Sequence, residues 1–512
     1  MLEILARHAL TQPLAPALRS AAVDGPKYSY GQFALAVDRV AGWLRDHQLR
    51  TDEPVLFVAE SSCHWPIIDF AVMLAGGLPM AVPPGTPDET VAPLIRSSRV
   101  RQGVVVDTSQ IPRMQRLGCI DIFDLSPHVL NDLLATPSLN RSSRKVFEGL
   151  LAKGESSSND DTAYLAPSSG STGAPKACQM TYGNMRFFGS TLQTCLALTT
   201  EDRIYSFLPL SQARLTDVVL PLHCGFETVM GTGKLWEELA AARPTMMVAP
   251  PFFYRRLQEH AMSSPAGTEA AMRELLGQAR YVFTGAAPAP TGLLDFYQEH
   301  GIQVLEGYGM TESSSLASLN LPGRHRPGTQ GQSVPGVSVR LSPQGEIEVS
   351  GPNVCAGYWR DPDGTQRTLR EGWLRTGDFG VLDADGYLQL LGRAQERMEL
   401  ADGSQFWPGP VEADFGSVPG VERAVLVGNG HRRLAVLLAL DTDADFHPEK
   451  IRATFDHLLA AHQERMGSEV LASWHVVAFP FTVESGELTA LLKPRRAVIH
   501  ERRRELIQLL CD

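Results

Sequence analysis

The ten residues SSGSTGAPKA (168–177) follow the apolar run TAYLA (162–166) after a single residue, Pro167. An apolar run leading into Ser, Gly and Thr is typical of a strand that ends in an open loop rich in backbone N–H groups and hydroxyls. Such a loop suits phosphate oxygens, and Lys176 adds a positive charge. It is not a Walker A motif, because Ala174 and Pro175 separate Gly173 from Lys176. A phosphate-binding loop and a flexible surface turn both agree with this composition.

The apolar runs around this stretch indicate the fold class. From residue 28 to about residue 330, strand-like runs such as PVLFVA (54–59) and IYSFLPL (204–210) alternate with segments of helical period, including a predicted helix at 66–76. This alternation predicts a layered α/β domain with largely parallel strands.

The texture changes towards the C-terminus. Beyond about residue 335 the runs GVSVRLSPQGEIEVS and FGVLDADGYLQLLGR, with its Asp-Gly turn, predict a β-rich appendage to the α/β domain. After LGRAQERMEL the pattern restarts as a small α+β unit. We predict a large domain over 1–393, a small domain over 394–512 and a boundary or hinge near 393–397.

Composition limits the possible functions. The 512 residues suggest two to four packed units at roughly 150 residues per domain. The chain is 43% hydrophobic and 20% charged, which is typical of a globular protein. Its formal net charge of −11 argues against electrostatic binding to nucleic acid or to an anionic membrane. We therefore expect small molecules or proteins as partners, and no nucleic acid.

The cysteines and the apolar runs indicate the compartment. The seven cysteines are odd in number and form no CxxC pair, so neither a disulfide framework nor a zinc site is predicted. The N-terminal segment MLEILARHAL does not resemble a signal peptide. The longest apolar run, at 66–82, contains Asp69 and falls short of the roughly 20 clean residues of a membrane span. These features predict a cytoplasmic enzyme without an integral membrane segment.

Five motifs in order give the chain a family resemblance. SSGSTGAPKA resembles the phosphate loop of the AMP-forming acyl-CoA synthetase, adenylation-domain and luciferase superfamily. EGYGMTE (306–312) resembles its adenylate motif, GWLRTGD (372–378) its ribose-binding aspartate motif, GRAQERMELADGSQFWPGPVE (392–412) its hinge, and ESGELTALLKPRR (484–496) its C-terminal lysine motif. The stretch 235–257 and the forms of the last two motifs are closest in texture to the long-chain fatty acyl-CoA synthetase branch.

This resemblance implies a two-step reaction. A carboxylate and ATP give acyl-AMP and pyrophosphate, and a thiol then captures the acyl group. The loop would hold the β- and γ-phosphates of ATP, and Glu312 with Thr172 would hold Mg²⁺, which prefers hard oxygen ligands. A solvated loop and a solvated glutamate are the alternatives. The implied phosphate ligands are Ser168, Ser169, Gly170, Ser171, Thr172, Gly173 and Lys176.

The resemblance also implies an adenosine site. Small residues would form a flat wall for adenine, against which Tyr308 would stack. Asp378 would accept both ribose hydroxyl protons, and Arg393 would support the same ribose. A core aromatic is the alternative for Tyr308, and a turn residue is the alternative for Asp378. The remaining nucleotide-site residues are Gly285, Ala286 and Ala287 in the wall and Glu306, Gly307, Gly309, Met310 and Thr311 in the adenylate motif.

Lys493 is the residue that the resemblance places at the reacting groups during adenylation, where its ammonium would contact the attacking carboxylate and the ribose–phosphate bridge. The alternative is a surface basic cluster that includes Arg495 and Arg496. The small domain would then swing to exchange this lysine for a thiol-binding face. The hinge position is Gln395, where relatives usually carry Asp or Lys.

The acid and the thiol are less defined. Gln212 stands at the usual gate of the acid pocket, with Gly285 and Gly309 as neighbours in that pocket, and it carries no charge, so a fatty or other non-amino acid is expected. The acceptor is CoA or a carrier-protein phosphopantetheine, although Asp402 and Ser404 depart from the branch's thiol-side motif. Alternatives are a relative that binds nucleotide without turnover, an enzyme that hands acyl-AMP only to a carrier protein, and an oxygenase of the luciferase kind.

Overall fold

The computed structural model describes residues 1–135, 139–168, 175–285, 289–418, 420–440, 448–467, 469–482, 485–488 and 494–512. Helices and strands alternate over the first part of the chain. The elements up to residue 155 are α1 (Leu2–Thr11), β1 (Pro16–Ser20), β2 (Lys27–Ser29), α2 (Tyr30–Asp46), β3 (Pro54–Val58), α3 (His64–Ala75), β4 (Leu78–Val82), α4 (Asp88–Ser98), β5 (Gln102–Val105), α5 (Ile111–Leu117), β6 (Asp121–Asp124), α6 (Pro127–Leu134) and α7 (Arg141–Glu155).

The alternation continues through the middle of the chain. A π-helical turn, Leu215–Val219, separates two short helices there. The elements from 162 to 319 are β7 (Thr162–Ser168), β8 (Lys176–Thr181), α8 (Tyr182–Leu196), β9 (Arg203–Ser206), α9 (Leu210–Arg214), α10 (Leu220–Cys224), β10 (Glu227–Met230), α11 (Leu235–Ala242), β11 (Met246–Ala249), α12 (Pro251–Met262), α13 (Thr268–Leu276), β12 (Tyr281–Thr284), α14 (Thr291–Glu299), β13 (Val304–Tyr308) and β14 (Ser318–Leu319).

Strands dominate the next part, and the last part is mixed. The remaining elements are β15 (Gln332–Ser333), β16 (Ser338–Leu341), β17 (Glu346–Ser350), α15 (Pro362–Thr368), β18 (Leu369–Arg370), β19 (Trp373–Leu382), β20 (Leu388–Arg393), β21 (Met398–Glu399), β22 (Gln405–Phe406), α16 (Pro408–Gly416), β23 (Val421–Val427), β24 (Leu434–Leu440), α17 (Pro448–Met466), β25 (Leu471–Val476), α18 (Arg496–Arg502) and α19 (Arg504–Cys511).

The largest sheet is mainly parallel. Within the described ranges its strand order is β15-β14-β13-β12-β11-β9-β10-β1-β2. The strands from β13 to β1 run parallel, and β14, β15 and β2 add antiparallel edges. Parallel strands end at one edge of a sheet, so β12 and β13 bring the loops that follow them together.

A second parallel sheet has the order β4-β3-β5-β6. All five residues of β3 are buried, as expected for a parallel strand covered on both faces. The predicted helix at 66–76 is α3, and Gly76 ends it in the left-handed conformation at φ +96°. The predicted strand IYSFLPL is shorter than expected: β9 ends at Ser206 and α9 begins directly after Pro209, which lacks a backbone donor.

The β-rich appendage and the small α+β unit both form as predicted. The appendage contains the β16–β17 and β19–β20 hairpins in one sheet. The α+β unit packs α16, α17, α18 and α19 around β23, β24 and β25. Its two buried apolar clusters consist of residues of this unit, from Met398 onwards. The fold class is therefore confirmed.

The predicted hinge at 393–397 lies between β20 and β21. Beyond it, the Trp407 ring stacks on Phe379 of β19 with 5.4 Å between ring centroids. The same ring lies against the backbone of Gly392, where an added Cβ would come within 2.7 Å of it. Gly392 has φ +148°, so both the conformation and the close approach require glycine. Trp407 of the small unit thus packs against both β19 and β20 of the large one.

Candidate active site

The two ends of the glycine-rich stretch form the base of a hairpin. β7 and β8 pair antiparallel, and Ser168 faces Lys176 directly. The predicted phosphate ligands Ser169, Gly170, Ser171, Thr172 and Gly173 lie outside the described residues. Ser168 is buried, whereas Lys176 is partly exposed to solvent at the C-terminal side of the stretch.

Lys176 is held by a segment that the sequence analysis did not identify. Its Nζ lies 3.2 Å from the Asp361 carboxylate and 4.4 Å from the centre of the Tyr358 ring. Burial acts to raise the pKa of Asp361, but the Gly364 N–H and the Lys176 ammonium outweigh it and lower that pKa. The Lys176 ammonium is therefore fixed by a carboxylate and an aromatic face.

Backbone pairing explains how this segment reaches the site. Trp359 N donates to Ala177 O at 2.8 Å and Gln179 N donates to Gly357 O at 2.8 Å, so 356–359 adds to the edge of β8. The stretch lies some 180 residues from β8 in sequence. No local pattern marks it, although a tyrosine followed three residues later by aspartate was available as a weak polar signal.

Glu312 lies beside the same tyrosine. Its side chain is buried, with 4% of the residue exposed, and its Oε1 accepts a hydrogen bond of 2.9 Å from the Tyr358 hydroxyl. A carboxylate has about four lone-pair positions, so Glu312 keeps acceptor capacity for a cation after this bond. The residue therefore fits the predicted Mg²⁺ ligand, while its predicted partner Thr172 lies outside the described residues.

The turn that carries Glu312 depends on Gly309. A Cβ at Gly309 would lie 2.2 Å from the carbonyl carbon of Ser315, closer than real side chains approach. The Met310 N–H donates to the Ser313 hydroxyl at 3.0 Å, and Thr311–Ser313 forms a single 3₁₀ turn. The motif thus folds back sharply after β13, which turns Glu312 towards Tyr358.

Tyr308, Asp378 and Arg393 form a second cluster. The Tyr308 hydroxyl donates to Asp378 Oδ2 at 2.7 Å, and Arg393 Nε lies 3.2 Å from Asp378 Oδ1. Asp378 and Arg393 are directly opposed on β19 and β20. Burial raises the pKa of Asp378, against the opposing effects of Tyr308 and Arg393. Three predicted nucleotide residues from three strands therefore meet at one carboxylate.

The wall expected to face adenine is partly described. Gly285 follows β12, and a Cβ there would lie 3.4 Å from Gly307 O of β13. Ala286 and Ala287 lie outside the described residues. Glu306 is buried on β13, accepts a hydrogen bond of 3.2 Å from Gln330, and burial raises its pKa to about 7.

The segment predicted to border the acid pocket is helical. Gln212 is exposed on α9. Two residues later, the buried Arg214 forms an ion pair with the buried Asp69 of α3 and lies 3.8 Å from the Tyr164 ring centre. Burial raises the pKa of Asp69 to about 6, against the effect of Arg214. This pair was not predicted from the sequence, although Asp69 interrupts an apolar run.

The hinge and the C-terminal motif are described in part. Gln395 is exposed in the 3₁₀ turn Ala394–Glu396 that follows β20. Lys493 lies outside the described residues. Arg496 forms an ion pair of 2.7 Å with Glu412 of α16, so the end of the motif is anchored within the small unit.

Among the helices of the described residues, none combines the length and the apolar character needed to cross a bilayer.

The sequence matches the AMP-binding enzyme family over residues 5–359, and the chain belongs to this family. The long-chain-fatty-acid–CoA ligase FadD15 of Mycobacterium bovis is 26% identical, with 88% of this chain and 86% of the relative aligned. The feruloyl-CoA synthase of an Amycolatopsis species is 30% identical over 52% of this chain and 57% of the relative.

Solved structures agree on the fold. The O-succinylbenzoate coenzyme A synthetase MenE of Bacillus subtilis, in complex with ATP and a magnesium ion, superposes with a TM-score of 0.75 at 21% identity, covering 97% of this chain and 98% of that chain. The predicted family resemblance is confirmed, and with it the prediction of an acid–thiol ligase.

Proposed function

We propose that the protein activates a carboxylic acid with ATP, releasing pyrophosphate from an acyl-AMP, and then transfers the acyl group to a thiol. The observation that carries this proposal is that Tyr308 of β13 and Arg393 of β20 both contact the buried Asp378 carboxylate of β19, while the turn after β13 carries Glu312. Tyr308 on the ribose side and Glu312 on the phosphate side therefore follow each other along the chain, in the order that a nucleotide presents its ribose and phosphates.

On the phosphate side the protein supplies charge. A carboxylate oxygen of the acid bonds to the α-phosphorus, and the bond from that phosphorus to the pyrophosphate oxygen breaks. The carboxylate of the acid and the phosphates of ATP are both anionic, and their mutual repulsion opposes this step. Cations and oriented hydrogen-bond donors therefore lower its barrier. Lys176 provides one cation at the mouth of the phosphate stretch. Glu312 would hold Mg²⁺, which neutralises phosphate oxygens when bound.

On the ribose side the protein supplies acceptors. Asp378 has two carboxylate oxygens, which can accept hydrogen bonds from the two vicinal hydroxyls of the ribose. Arg393 would keep the carboxylate oriented, because its guanidinium already lies 3.2 Å from Oδ1. The Tyr308 ring would lie along the base.

Lys493 and the hinge at Gln395 complete the proposal. The lysine would bring a cation to the carboxylate and the ribose–phosphate bridge, and movement about 393–397 would then bring the thiol. The ion pair of Arg496 with Glu412 lies within the small unit and supports a unit that moves as one piece.

The acid is proposed to be fatty or aromatic, and the thiol to be CoA or a carrier phosphopantetheine. An uncharged Gln212 favours an acid without an ammonium group. The named activities of the two relatives cover both acid classes and use CoA. We propose ATP, the acid and the thiol carrier as partners, and the predicted cytoplasmic location stays a prediction.

The test is ATP–pyrophosphate exchange with a panel of fatty, aromatic and amino acids, repeated with CoA or a carrier protein to detect thioester. We expect exchange with a fatty or aromatic acid, reduced at least a hundredfold in Asp378→Asn, which loses charge-assisted contacts to the ribose, and in Glu312→Gln, which loses a charged ligand for Mg²⁺. The exposed Asp363→Asn is a matched control. AMP binding without exchange for any acid would contradict the proposal and indicate a nucleotide-binding protein without turnover.

A further inference from the structure

Gln330 bridges two strands of the candidate site. It is buried, with 6% of the residue exposed, in the loop before β15. Its Nε2 donates to Glu306 Oε1 of β13 at 3.2 Å, and its Oε1 accepts from Leu390 N of β20 at 2.7 Å. One side chain thus satisfies a buried carboxylate on one strand and a backbone donor on the other.

The backbone around Gln330 is fixed on the same two sides. Gln330 N donates to Leu388 O at 2.7 Å, and Leu388 N donates to Gly331 O at 2.9 Å. From the side of the large sheet, the Ser318 hydroxyl donates to Gln330 O at 2.8 Å. The amide is therefore held in place and has little freedom to choose other partners.

The two bridged strands carry the ribose cluster. Tyr308 lies two residues beyond Glu306 on β13, and Arg393 lies three residues beyond Leu390 on β20. Both side chains end at Asp378. The distance between β13 and β20 at the Gln330 bridge therefore sets the distance over which Tyr308 and Arg393 share that carboxylate.

We propose that Gln330 is a positioning residue that sets the spacing of the nucleotide strand β13 and the hinge-side strand β20. This inference rests on the proposed function, because it assigns the Asp378 cluster to nucleotide. Through the bridge, nucleotide bound at β13 also orders β20, the strand that leads into the 393–397 segment.

The chemistry of the bridge requires an amide. Glu306 needs a donor and Leu390 N–H needs an acceptor, and the glutamine side chain supplies both. Leucine at position 330 would leave a buried carboxyl group and a buried N–H unpaired, and above pH 7, where Glu306 is ionised, glutamate would face it with a second acceptor. Exchanging the two residues restores one amide and one carboxylate in the same space.

The experiment measures AMP binding by isothermal titration calorimetry in the full chain and in four variants. We expect Gln330→Leu and Gln330→Glu to raise the Kd for AMP about tenfold, since each breaks a buried hydrogen-bond pair. The double exchange Glu306→Gln/Gln330→Glu should lower the Kd again relative to Gln330→Glu, as the pair is re-formed. Gln332→Leu is the matched control. The Gln332 side chain donates to Asp385 O in the β19–β20 turn at 2.8 Å and does not bridge to β13.

Hydrogen exchange of β20 gives a second readout. Without nucleotide, exchange in 388–393 should be faster in Gln330→Leu than in the parent or in Gln332→Leu, and AMP should slow it in the parent and in Gln332→Leu but not in Gln330→Leu. Parent-like AMP binding in Gln330→Leu and Gln330→Glu, or a double exchange as weak as Gln330→Glu, would overturn the inference. If Gln330→Leu does not fold, the comparison of Gln330→Glu with the double exchange decides.

The two proposals fail separately. A parent that binds AMP but shows no acid-dependent exchange contradicts the proposed function and leaves the bridge intact. If the parent shows acid-dependent ATP–pyrophosphate exchange and all position-330 variants bind AMP as tightly as the parent, only the proposed bridge is contradicted.

Discussion

The Tyr358 hydroxyl donates a hydrogen bond of 2.9 Å to Oε1 of Glu312. The same ring lies beneath the Lys176 ammonium, with its centre 4.4 Å from Nζ. One tyrosine therefore touches both charged groups that the proposed reaction uses on the phosphate side, although it belongs to none of the motifs that the sequence analysis singled out.

Removing only the hydroxyl separates these two contacts. In Tyr358→Phe the Glu312 carboxylate loses an orienting bond, which for a charged acceptor is worth about 1.5–3 kcal/mol. We expect about a tenfold rise in the Mg²⁺ concentration for half-maximal exchange, and weaker Mn²⁺ binding by electron paramagnetic resonance. Tyr387→Phe in the β19–β20 turn serves as the control. An unchanged Mg²⁺ requirement would remove Tyr358 from the site.

Lys176 is paired with Asp361 at 3.2 Å and must release this partner to reach a phosphate. Asp361→Asn removes the competing charge, so we expect the Kd for ATP to fall by up to about fivefold, as about 0.2–1 kcal/mol is typical of partly exposed pairs. The gain should shrink with added salt. Asp363→Asn, exposed and two residues away, should show no gain. A higher Kd in Asp361→Asn would mean that Asp361 positions the lysine.

The buried pair of Arg214 and Asp69 should be needed for stability as a pair. Arg214→Met leaves Asp69 without its cation, and such losses cost about 3–5 kcal/mol. The double variant Asp69→Leu/Arg214→Met should recover most of this free energy of unfolding, measured by urea denaturation. Arg273→Met, which breaks an exposed pair with Glu269, should cost less than about 1 kcal/mol. A double variant as unstable as Arg214→Met would contradict this account.

Glu306 should make stability depend on pH. Burial raises the pKa of its carboxyl to about 7, so the folded chain binds this proton more tightly than the unfolded chain. The stabilising contribution is complete below the unfolded pKa of 4.5 and is lost as the pH rises through 7. This amounts to roughly 3 kcal/mol between the two limits.

Glu306→Gln removes that titration. We expect the difference in the free energy of unfolding between pH 5 and pH 8 to shrink by roughly 3 kcal/mol in this variant, because the amide does not ionise. The exposed Glu299→Gln should leave the difference unchanged. An equal pH dependence in parent and Glu306→Gln would show that Glu306 ionises normally in the folded chain.

Local sequence predicted the elements whose environment is uniform. The continuous apolar run of β3 and the alternation around it indicate a covered parallel strand, and the approach through TAYLA predicts the strand β7. The end of β9 was placed too late, because apolar character continues through Phe207 and Leu208 while Pro209 starts a helix. Periodicity alone does not distinguish these two cases.

Site residues were predictable from the sequence where they lie within a short motif. Tyr308, Glu312 and Asp378 lie in short motifs, and the structure brings Tyr308 and Asp378 into contact. Tyr358 and Gln330 were missed because each acts through a partner far along the chain, Glu312 and Leu390 among them. Such contacts depend on strand pairing, which no local pattern encodes.

Because Trp407 packs on Phe379 and Gly392 at the interface between the two units, its fluorescence reports on that interface. An indole leaving an aromatic face for water shifts its emission to longer wavelength. A Trp407→Phe subtraction spectrum would isolate this signal from the other tryptophans, so the proposed movement of the small unit could be tested in unlabelled protein during turnover.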